Sequence, residues 1–318
     1  DVYVLEISSF QMETTESLRP VAAAVLNVSA DHLDRHASLA DYAGLKGKLL
    51  SAADVAVFNL DDAVVREMAR ACPRPVPFSI RAPLAHGYSI VEKSGRRWLA
   101  RDGEPVLAAD ALKIRGTHNE ANALAALALT EALLADAKTG PKKLGSDPIF
   151  RGAGEGGAAA AEKWGLTPIL SALAAFEGLP HRCRVVAQRR GVIYVDDSKG
   201  TNVGATIAAI EGLAGPLILI AGGLSKGADL APLAAAARGK VEGAVLIGTA
   251  APELERVLAP VCTTRRAADM PGAVAAATEL ARAGATVLLS PACASQDMFR
   301  DYKHRGQLFA AAVEALPR

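Results

Sequence analysis

The chain has 318 residues, a length at which a single hydrophobic core usually gives way to two domains. About half of the residues are hydrophobic, and the formal net charge is only +1. Composition and charge therefore exclude a strongly basic protein that binds nucleic acid or an anionic membrane surface. The four cysteines form no CxxC pair, and no apolar run of about 20 residues or signal peptide is found, which predicts a reducing, cytoplasmic compartment.

The first half of the chain alternates short apolar runs with helical patterns, which is typical of an α/β protein with parallel sheets. Buried strands are predicted at 2–5, 23–28 and 55–59, helices at 39–50, 62–72 and 119–134, and a hairpin joining 87–92 to 97–101. Because the sequence starts inside the apolar run 2–5, we expect the natural protein to extend further in the N-terminal direction.

The second half begins with a glycine- and alanine-rich stretch at 137–163, which predicts a surface insertion. A helix at 168–176 ends at Gly178-Leu179-Pro180, a predicted hinge. Strands are then predicted at 192–195, 217–221, 244–247 and 286–289, and a last helix at 300–316. The pattern predicts two doubly wound domains, 1–180 and 181–318.

Polar side chains follow the first two predicted strands. Ligands of open parallel sheets bind beyond the carboxyl ends of the strands, where Glu6, Asp31 and His32 are expected to converge. A carboxylate at that edge suits Mg²⁺. Helix capping explains at least one of the neighbouring serines, Ser8 or Ser9. Lys46, taken alone, has the pattern of a solvated lysine on a helix.

Two asparagines, Asn119 and Asn122, lie three residues apart at the start of the predicted helix 119–134 and share one face. Helix N-termini favour anions, and capping explains one asparagine but not both.

In the second domain, three segments follow predicted strands: 196–202, 222–227 and 290–295. They are rich in hydroxyl groups, lysines and glycines. Paired glycines allow backbone amides to approach an anion. The three segments together would suit a small anionic amino acid.

These segments, taken in order, resemble the Mur ligases of peptidoglycan synthesis. The matching segments are 5–11, 27–36, 116–122, 178–182, 197–202, 222–227 and 290–295. The stretches Ser290 to Ser295 and Phe299 to Gly306 favour the family member that adds D-glutamate. The resemblance covers nearly the whole chain except the insertion 137–163.

The resemblance implies a central ATPase-type domain, a Rossmann-like C-terminal domain, and ATP-dependent ligation through an acyl phosphate. The positions that match the family's catalytic lysine and metal-binding set are Lys199, Glu6, His32 and Lys46, the last in carbamylated form, with two Mg²⁺ ions expected. The positions that match its nucleotide contacts are Asn119, Asn122, Arg182 and Asp197. The positions that match its D-glutamate contacts are Thr201, Lys226, Ser295 and Tyr302. The implied partners are small molecules only, with neither nucleic acid nor membrane, and the implied state is a monomer.

One departure limits the resemblance: the family's UDP-binding domain and its Gly-x-x-Gly-Lys-Ser/Thr phosphate loop do not occur in this sequence. The segment 44–49 resembles that loop but has no terminal Ser/Thr and follows no strand. We therefore expect this chain alone to be inactive. The alternatives are a Mur ligase for another amino acid, a non-catalytic binding remnant, and a dinucleotide-dependent oxidoreductase. The last is disfavoured because no Gly-x-Gly-x-x-Gly follows a predicted strand.

Overall fold

The computed structural model describes residues 2–29, 35–114, 116–135, 165–225 and 227–317. It divides into two compact units. The first comprises Asp1–Lys113 and Asn119–Phe176, and the second comprises Ile114–His118 and Glu177–Arg318. The division differs from the predicted one in giving the short segments Ile114–His118 and 177–180 to the second unit. The predicted insertion at 137–163 lies outside the described residues.

The first unit is a six-stranded sheet with helices. In chain order its elements are α1 (Ser9–Thr14), β1 (Ala22–Val25), α2 (Leu39–Ala52), β2 (Val55–Asn59), α3 (Ala63–Ala69), β3 (Pro75–Ser79), β4 (Tyr88–Lys93), β5 (Arg96–Arg101), β6 (Glu104–Ala108) and α4 (Thr117–Ala135), which starts in the second unit, followed by α5 (Thr167–Ala175). The strand order is β1-β2-β3-β4-β5-β6. Strands β1 to β4 pair in parallel, and β4 to β6 pair antiparallel.

The predicted strand at 2–5 is wrong. Residues 2–8 adopt no helix or strand, and the apolar side chains there are exposed, 92% for Val4 and 84% for Tyr3. A strand is stabilised by its ladder and by burial, and in the described part of the chain β1 takes the edge position with β2 as its only neighbour. An apolar run alone does not supply that ladder.

The second unit is a six-stranded sheet covered on both faces. Its elements are β7 (Arg184–Arg189), β8 (Val192–Asp196), α6 (Val203–Gly212), β9 (Leu217–Gly222), α7 (Pro232–Ala237), β10 (Val241–Ile247), α8 (Ala251–Leu258), β11 (Thr263–Arg266), α9 (Met270–Leu280), β12 (Thr286–Leu289) and α10 (Tyr302–Glu314). The strand order is β11-β10-β9-β12-β8-β7, parallel except for β7.

Burial on both faces explains why the central strands of this unit are continuous apolar runs. All six residues of β9 are buried, and alternate residues face two separate cores. Leu219 packs with α6, α7 and α8, whereas Ile220 packs with α9 and α10. Parallel strands covered by helices on both sides have this pattern. The molecule is thus an α/β protein with two mainly parallel sheets, as the sequence predicts. Within the described residues, no helix has the length and apolar character needed to cross a membrane.

Candidate functional site

The loop after β8 presents one cation from an otherwise buried polar segment. Asp196, Asp197 and Ser198 are all buried, whereas Lys199 is partly exposed. The Lys199 Nζ lies 4.3 Å from the centroid of the Tyr302 ring, which is a cation–π distance. The chain order along this loop therefore places an ammonium group where a ligand can reach it, on an aromatic support contributed by α10.

The Asp197 carboxylate is held by neighbours that donate hydrogen bonds but carry no charge. Its Oδ1 accepts from the Cys183 backbone N–H at 3.2 Å, and its Oδ2 accepts from the Ser290 hydroxyl at 2.7 Å. Burial raises the pKa of Asp197 to about 6, because desolvation outweighs these hydrogen bonds. The same burial, with Asp197 nearby, raises the pKa of Cys183, so that thiol stays protonated.

The buried Asp196 pairs with a half-buried histidine. Its Oδ2 lies 2.7 Å from His181 Nδ1, and the His181 ring meets the Tyr302 ring edge-on at 6.0 Å. The His181 backbone carbonyl also accepts from the Lys199 N–H at 3.0 Å. The segment before β7 thus packs directly against the loop that carries Lys199.

The loop after β9 needs glycine at two successive positions. Gly222 and Gly223 have φ of 126° and 130°, which side-chain-bearing residues rarely adopt. A Cβ on Gly223 would overlap the carbonyl oxygen of Ala294, so this loop can approach the loop after β12 only without a side chain. The contact continues as a bridge between Leu224 and Ala294.

Ser295 is buried, 2% exposed, and its carbonyl caps the following turn by accepting from the Met298 and Phe299 N–H groups. Thr201 is half-buried and follows Lys199 by two residues. The second unit therefore brings Lys199, Asp197 and Tyr302 together and places Thr201 and Ser295 on adjoining loops. The predicted residue Lys226 lies outside the described residues.

Arg305 is the residue that sequence reasoning missed. It is fully buried on α10, three residues after Tyr302, and its guanidinium contacts the loops after β8, β9 and β12. Burial lowers its pKa to about 10, which leaves it charged at neutral pH. The signal for it in the sequence is its place in the stretch 299–306, three residues after the predicted site residue Tyr302.

In the first unit, Glu6 is exposed in the irregular segment before α1. The expectation that it ends a strand is wrong, since that strand is not formed. Ser8 is the N-cap of α1 and forms a capping box with Gln11, which confirms the capping interpretation. Ser9 Oγ lies 3.0 Å from Nε2 of the buried His36.

Lys46 lies on α2, as predicted, at the end of an aromatic stack. Its Nζ is 4.9 Å from the Tyr42 ring centroid, Tyr42 is 5.2 Å from His36, and His36 stacks on Phe10 at 5.4 Å. The phosphate-loop-like segment 44–49 lies within α2, which agrees with its rejection.

The described residues do not make a metal site. No group of three or more histidine, cysteine, aspartate or glutamate residues that could hold a metal occurs among them. Lys46 is placed over an aromatic face, an arrangement that suits an ammonium group. His32 and Asp31 lie outside the described residues. The predicted Mg²⁺ set of Glu6, His32 and Lys46 stays a prediction.

The remaining predicted nucleotide contacts are Asn119, Asn122 and Arg182. The two asparagines lie on one face of α4, and Asn122 Nδ2 donates to Asn119 Oδ1 at 3.2 Å. Arg182 is exposed just before β7. Their roles stay predictions.

Comparisons with known proteins match both units. Residues 1–130 match the family described as the Mur ligase middle domain, and residues 181–293 match the family described as Mur ligase, glutamate ligase domain. The chain belongs to the Mur ligase family. Two relatives named UDP-N-acetylmuramoylalanine--D-glutamate ligase, from Aromatoleum aromaticum and Nitrosococcus oceani, are 45% and 44% identical to this Mur ligase chain. The alignments cover 100% and 99% of the chain but only 63% and 64% of those proteins. The chain therefore spans less than two thirds of these relatives.

Solved structures of a MurF ligase and of a pseudomurein peptide ligase share the fold. The MurF ligase from Thermotoga maritima in complex with ADP has a TM-score of 0.61 at 15% identity, covering 97% of this chain and 63% of that one. A pseudomurein peptide ligase type C from Methanothermus fervidus has a TM-score of 0.59 at 16% identity, covering 92% and 63%. At these identities the likeness concerns the fold alone.

Proposed function

We propose that the chain supplies nucleotide- and amino-acid-binding parts of a cytoplasmic, ATP-dependent ligase that joins D-glutamate to UDP-N-acetylmuramoyl-L-alanine. The observation that carries the proposal is Lys199, a partly exposed cation held over the Tyr302 ring at the edge of a buried polar loop. The 45% identity to a D-glutamate ligase along the whole chain supports the choice of substrate.

The chemistry requires an activated carboxylate. A carboxylate is a poor electrophile, so transfer of the ATP γ-phosphoryl group to the alanine carboxylate supplies a leaving group. The D-glutamate amine then attacks the acyl phosphate, and the tetrahedral intermediate collapses to the amide and inorganic phosphate. In this scheme Lys199 stabilises the negative charge that develops on the transferring oxygens, because it is a cation held in place over the Tyr302 ring.

The loops of the second unit suit an acidic amino acid. Thr201 and Ser295 supply hydroxyl donors on loops that adjoin Lys199, and Tyr302 supplies an aromatic wall. Asp197 supplies an acceptor for the hydroxyl groups of a nucleotide, and Arg182 supplies a cation. Asn119 and Asn122, on the first unit, keep their predicted role as nucleotide contacts. The described residues do not complete a metal site, so none of the roles above is assigned through Mg²⁺.

The ligand assignment is tested by calorimetric titration of the chain with D-glutamate, L-glutamate, L-alanine and meso-diaminopimelate. We expect D-glutamate to bind most tightly and Lys199→Met to weaken it about tenfold or more, the loss of roughly one charge-assisted contact. Lys303→Met is the matched control, since Lys303 is exposed on the same helix as Tyr302. Tightest binding of the diamino acid would favour a sibling Mur ligase instead.

Turnover separates the ligase from a binding remnant. We expect ATP consumption by the chain alone to lie far below that of the Aromatoleum aromaticum relative, because the sequence contains no phosphate loop. Turnover by the chain close to that of the relative would refute this expectation. D-Glutamate or ATP binding without any detectable turnover would favour the non-catalytic remnant.

A further inference from the structure

Arg305 uses every one of its donors inside the protein. Nε donates to Ser198 Oγ at 3.1 Å, one terminal nitrogen donates to the carbonyls of Gly222 and Cys293 at 3.4 and 3.1 Å, and the other donates to those of Ser198 and Cys293 at 3.0 and 3.2 Å. A guanidinium has five N–H groups, and five hydrogen bonds are formed. Because no donor is left for a ligand and the side chain is 0% exposed, Arg305 does not bind substrate directly.

The three acceptor residues of Arg305 belong to three different loops. Ser198 follows β8, Gly222 ends β9, and Cys293 follows β12. These strands are neighbours in the sheet, in the order β9-β12-β8, so their loops leave the same edge. The loops after β8 and β12 carry Thr201 and Ser295 of the proposed amino-acid pocket, and that after β8 also carries Lys199.

The helix that carries Arg305 reinforces the same loop from a second position. The Ser198 hydroxyl accepts from Arg305 Nε and donates to the Tyr302 carbonyl at 2.7 Å. Tyr302 in turn lies beneath the Lys199 ammonium. Tyr302 and Arg305, three residues apart on one turn of α10, thus fix both the backbone and the side chain of the Ser198–Lys199 segment.

Packing alone does not explain a charged residue at this position. Among the described residues no carboxylate lies within ion-pair distance of Arg305; Asp297 and Asp196 act on it only over a longer range. Removing a cation from water carries a desolvation cost, which an apolar side chain of similar volume would avoid. An apolar side chain would, however, leave the carbonyls of three loops without their common partner.

We propose that Arg305 is a positioning residue that fixes the loops after β8, β9 and β12 in the arrangement that receives the acidic amino acid. The identity of the ligand rests on the proposed function, whereas the fixing of the loops does not. Substitution of Arg305 should therefore loosen these loops in the absence of any ligand, and should weaken binding of the amino acid more than binding of the nucleotide.

The loops are tested first without ligand, by hydrogen exchange of three amides that join the loops after β9 and β12. Gly222 N donates to Pro291 O, Leu224 N donates to Ala294 O, and Ala294 N donates to Leu224 O. We expect Arg305→Met to accelerate exchange at these amides about tenfold or more, while amides of β10 and β11 keep their rates. Unchanged exchange at the three amides in a folded variant would overturn the proposal.

The matched control is Arg189, a residue of β7 that contacts the other end of the same helix. Arg189 donates from Nε and Nη2 to the carbonyls of Val313 and Glu314, at 3.2 and 3.3 Å, near the end of α10. Arg189→Met removes a comparable guanidinium–carbonyl contact away from the loops. We expect it to lower the stability of α10 without accelerating exchange at the three loop amides; an equal acceleration by both variants would show a structural role only.

Binding is tested by calorimetry with D-glutamate and, separately, with ADP. Arg305→Met should raise the Kd for D-glutamate about tenfold or more, and Arg305→Lys, which keeps the charge and three donors, should recover part of the loss. The Kd for ADP should change less than about twofold. Equal losses for both ligands would contradict the proposal. If Arg305→Met fails to fold, Ser198→Ala replaces it under the same criteria. It removes the Nε partner and the hydrogen bond to the Tyr302 carbonyl, but keeps the contacts of Arg305 with the backbone carbonyls.

The two proposals fail in different ways. If the unsubstituted chain binds no acidic amino acid, the proposed function is wrong, and the hydrogen-exchange result still decides whether Arg305 fixes the loops. If D-glutamate binds but the Arg305 variants bind it equally well, the positioning role is wrong and the proposed function stands.

Discussion

Replacing Asp197 by asparagine should remove a pH dependence from the stability of the second unit. Burial raises the pKa of Asp197 from 3.8 to about 6 in the folded protein. The folded state therefore holds the proton more tightly than the unfolded state. The resulting stabilisation is fully present below the unfolded pKa of about 4 and is lost as the pH rises through the folded value of about 6.

The magnitude follows from the difference between the two pKa values. The pKa rises by roughly two units, and each unit corresponds to about 1.4 kcal/mol. The free energy of unfolding therefore falls by at most about 3 kcal/mol between acidic and neutral pH. Asparagine keeps the shape of the site. Its Oδ1 can accept from the Cys183 N–H, and the Ser290 hydroxyl, which lies 3.0 Å from Thr206 Oγ1, can donate to that oxygen instead. At neutral pH Asp197→Asn should therefore stabilise the second unit by up to the same amount.

The assay is urea-dependent hydrogen exchange read on peptides that cover β8, β9 and β12 at a series of pH values between 4 and 8. The difference between the unsubstituted chain and Asp197→Asn isolates this one carboxyl from all others. Asp301 is the control of opposite sign, because hydrogen bonds from α10 lower its pKa, so its contribution is lost as the pH falls. If the unsubstituted chain and Asp197→Asn show parallel curves between about pH 4 and 6, the reasoning from burial is refuted.

Three further substitutions have defined outcomes. Gly223→Ala should lower the free energy of unfolding of the second unit by about 2 kcal/mol or more, because the new Cβ would overlap the Ala294 carbonyl and the φ is left-handed; an unchanged urea midpoint would count against this. Gly44→Ala in α2 should raise the free energy of unfolding of the first unit by about 0.5–1 kcal/mol, since nothing lies within 4 Å of the added methyl; a lower midpoint would contradict it. Tyr302→Leu should weaken D-glutamate binding about two- to fivefold by removing the ring beneath Lys199, whereas Tyr302→Phe should not; equal affinities would show that the ring is not needed.

The sequence predicts the central strands better than the others, for a physical reason. Strands β9 and β12 are apolar on both faces and are bounded by turn residues, so their patterns identify them. Strand β11 has the sequence Thr-Thr-Arg-Arg and lies at a sheet edge, where no burial pattern is needed. Strand β3 contains Pro75 and Pro77, which lack the N–H that a ladder uses and so argue against the internal strand that is formed.

The candidate site is predictable where chemistry is local and unpredictable where it depends on burial. Asp197 and Lys199 lie two residues apart just after a predicted strand, so the sequence alone identifies them as a polar segment at a strand end. For Arg305, the sequence shows a charge but not that all five donors point inward to three loops. The apolar run 2–5 failed for the converse reason: its hydrophobicity is visible, but the ladder that would bury it is a property of the rest of the sheet.

Asp197 and Arg305 show how the second unit distributes charge at this edge of its sheet. Arg305 interacts electrostatically with Asp196 and Asp297, whereas the pKa of Asp197 is set by burial, by neutral hydrogen-bond donors and by repulsion from Asp196. At neutral pH Asp197 is therefore a charged acceptor that these neighbours leave uncompensated. A ligand that donates hydrogen bonds to it stabilises the charged form and lowers its pKa. Binding of such a ligand near pH 6 must then release a proton, and its affinity must fall as the pH drops below about 6, because the ligand then competes with the proton for the same carboxylate.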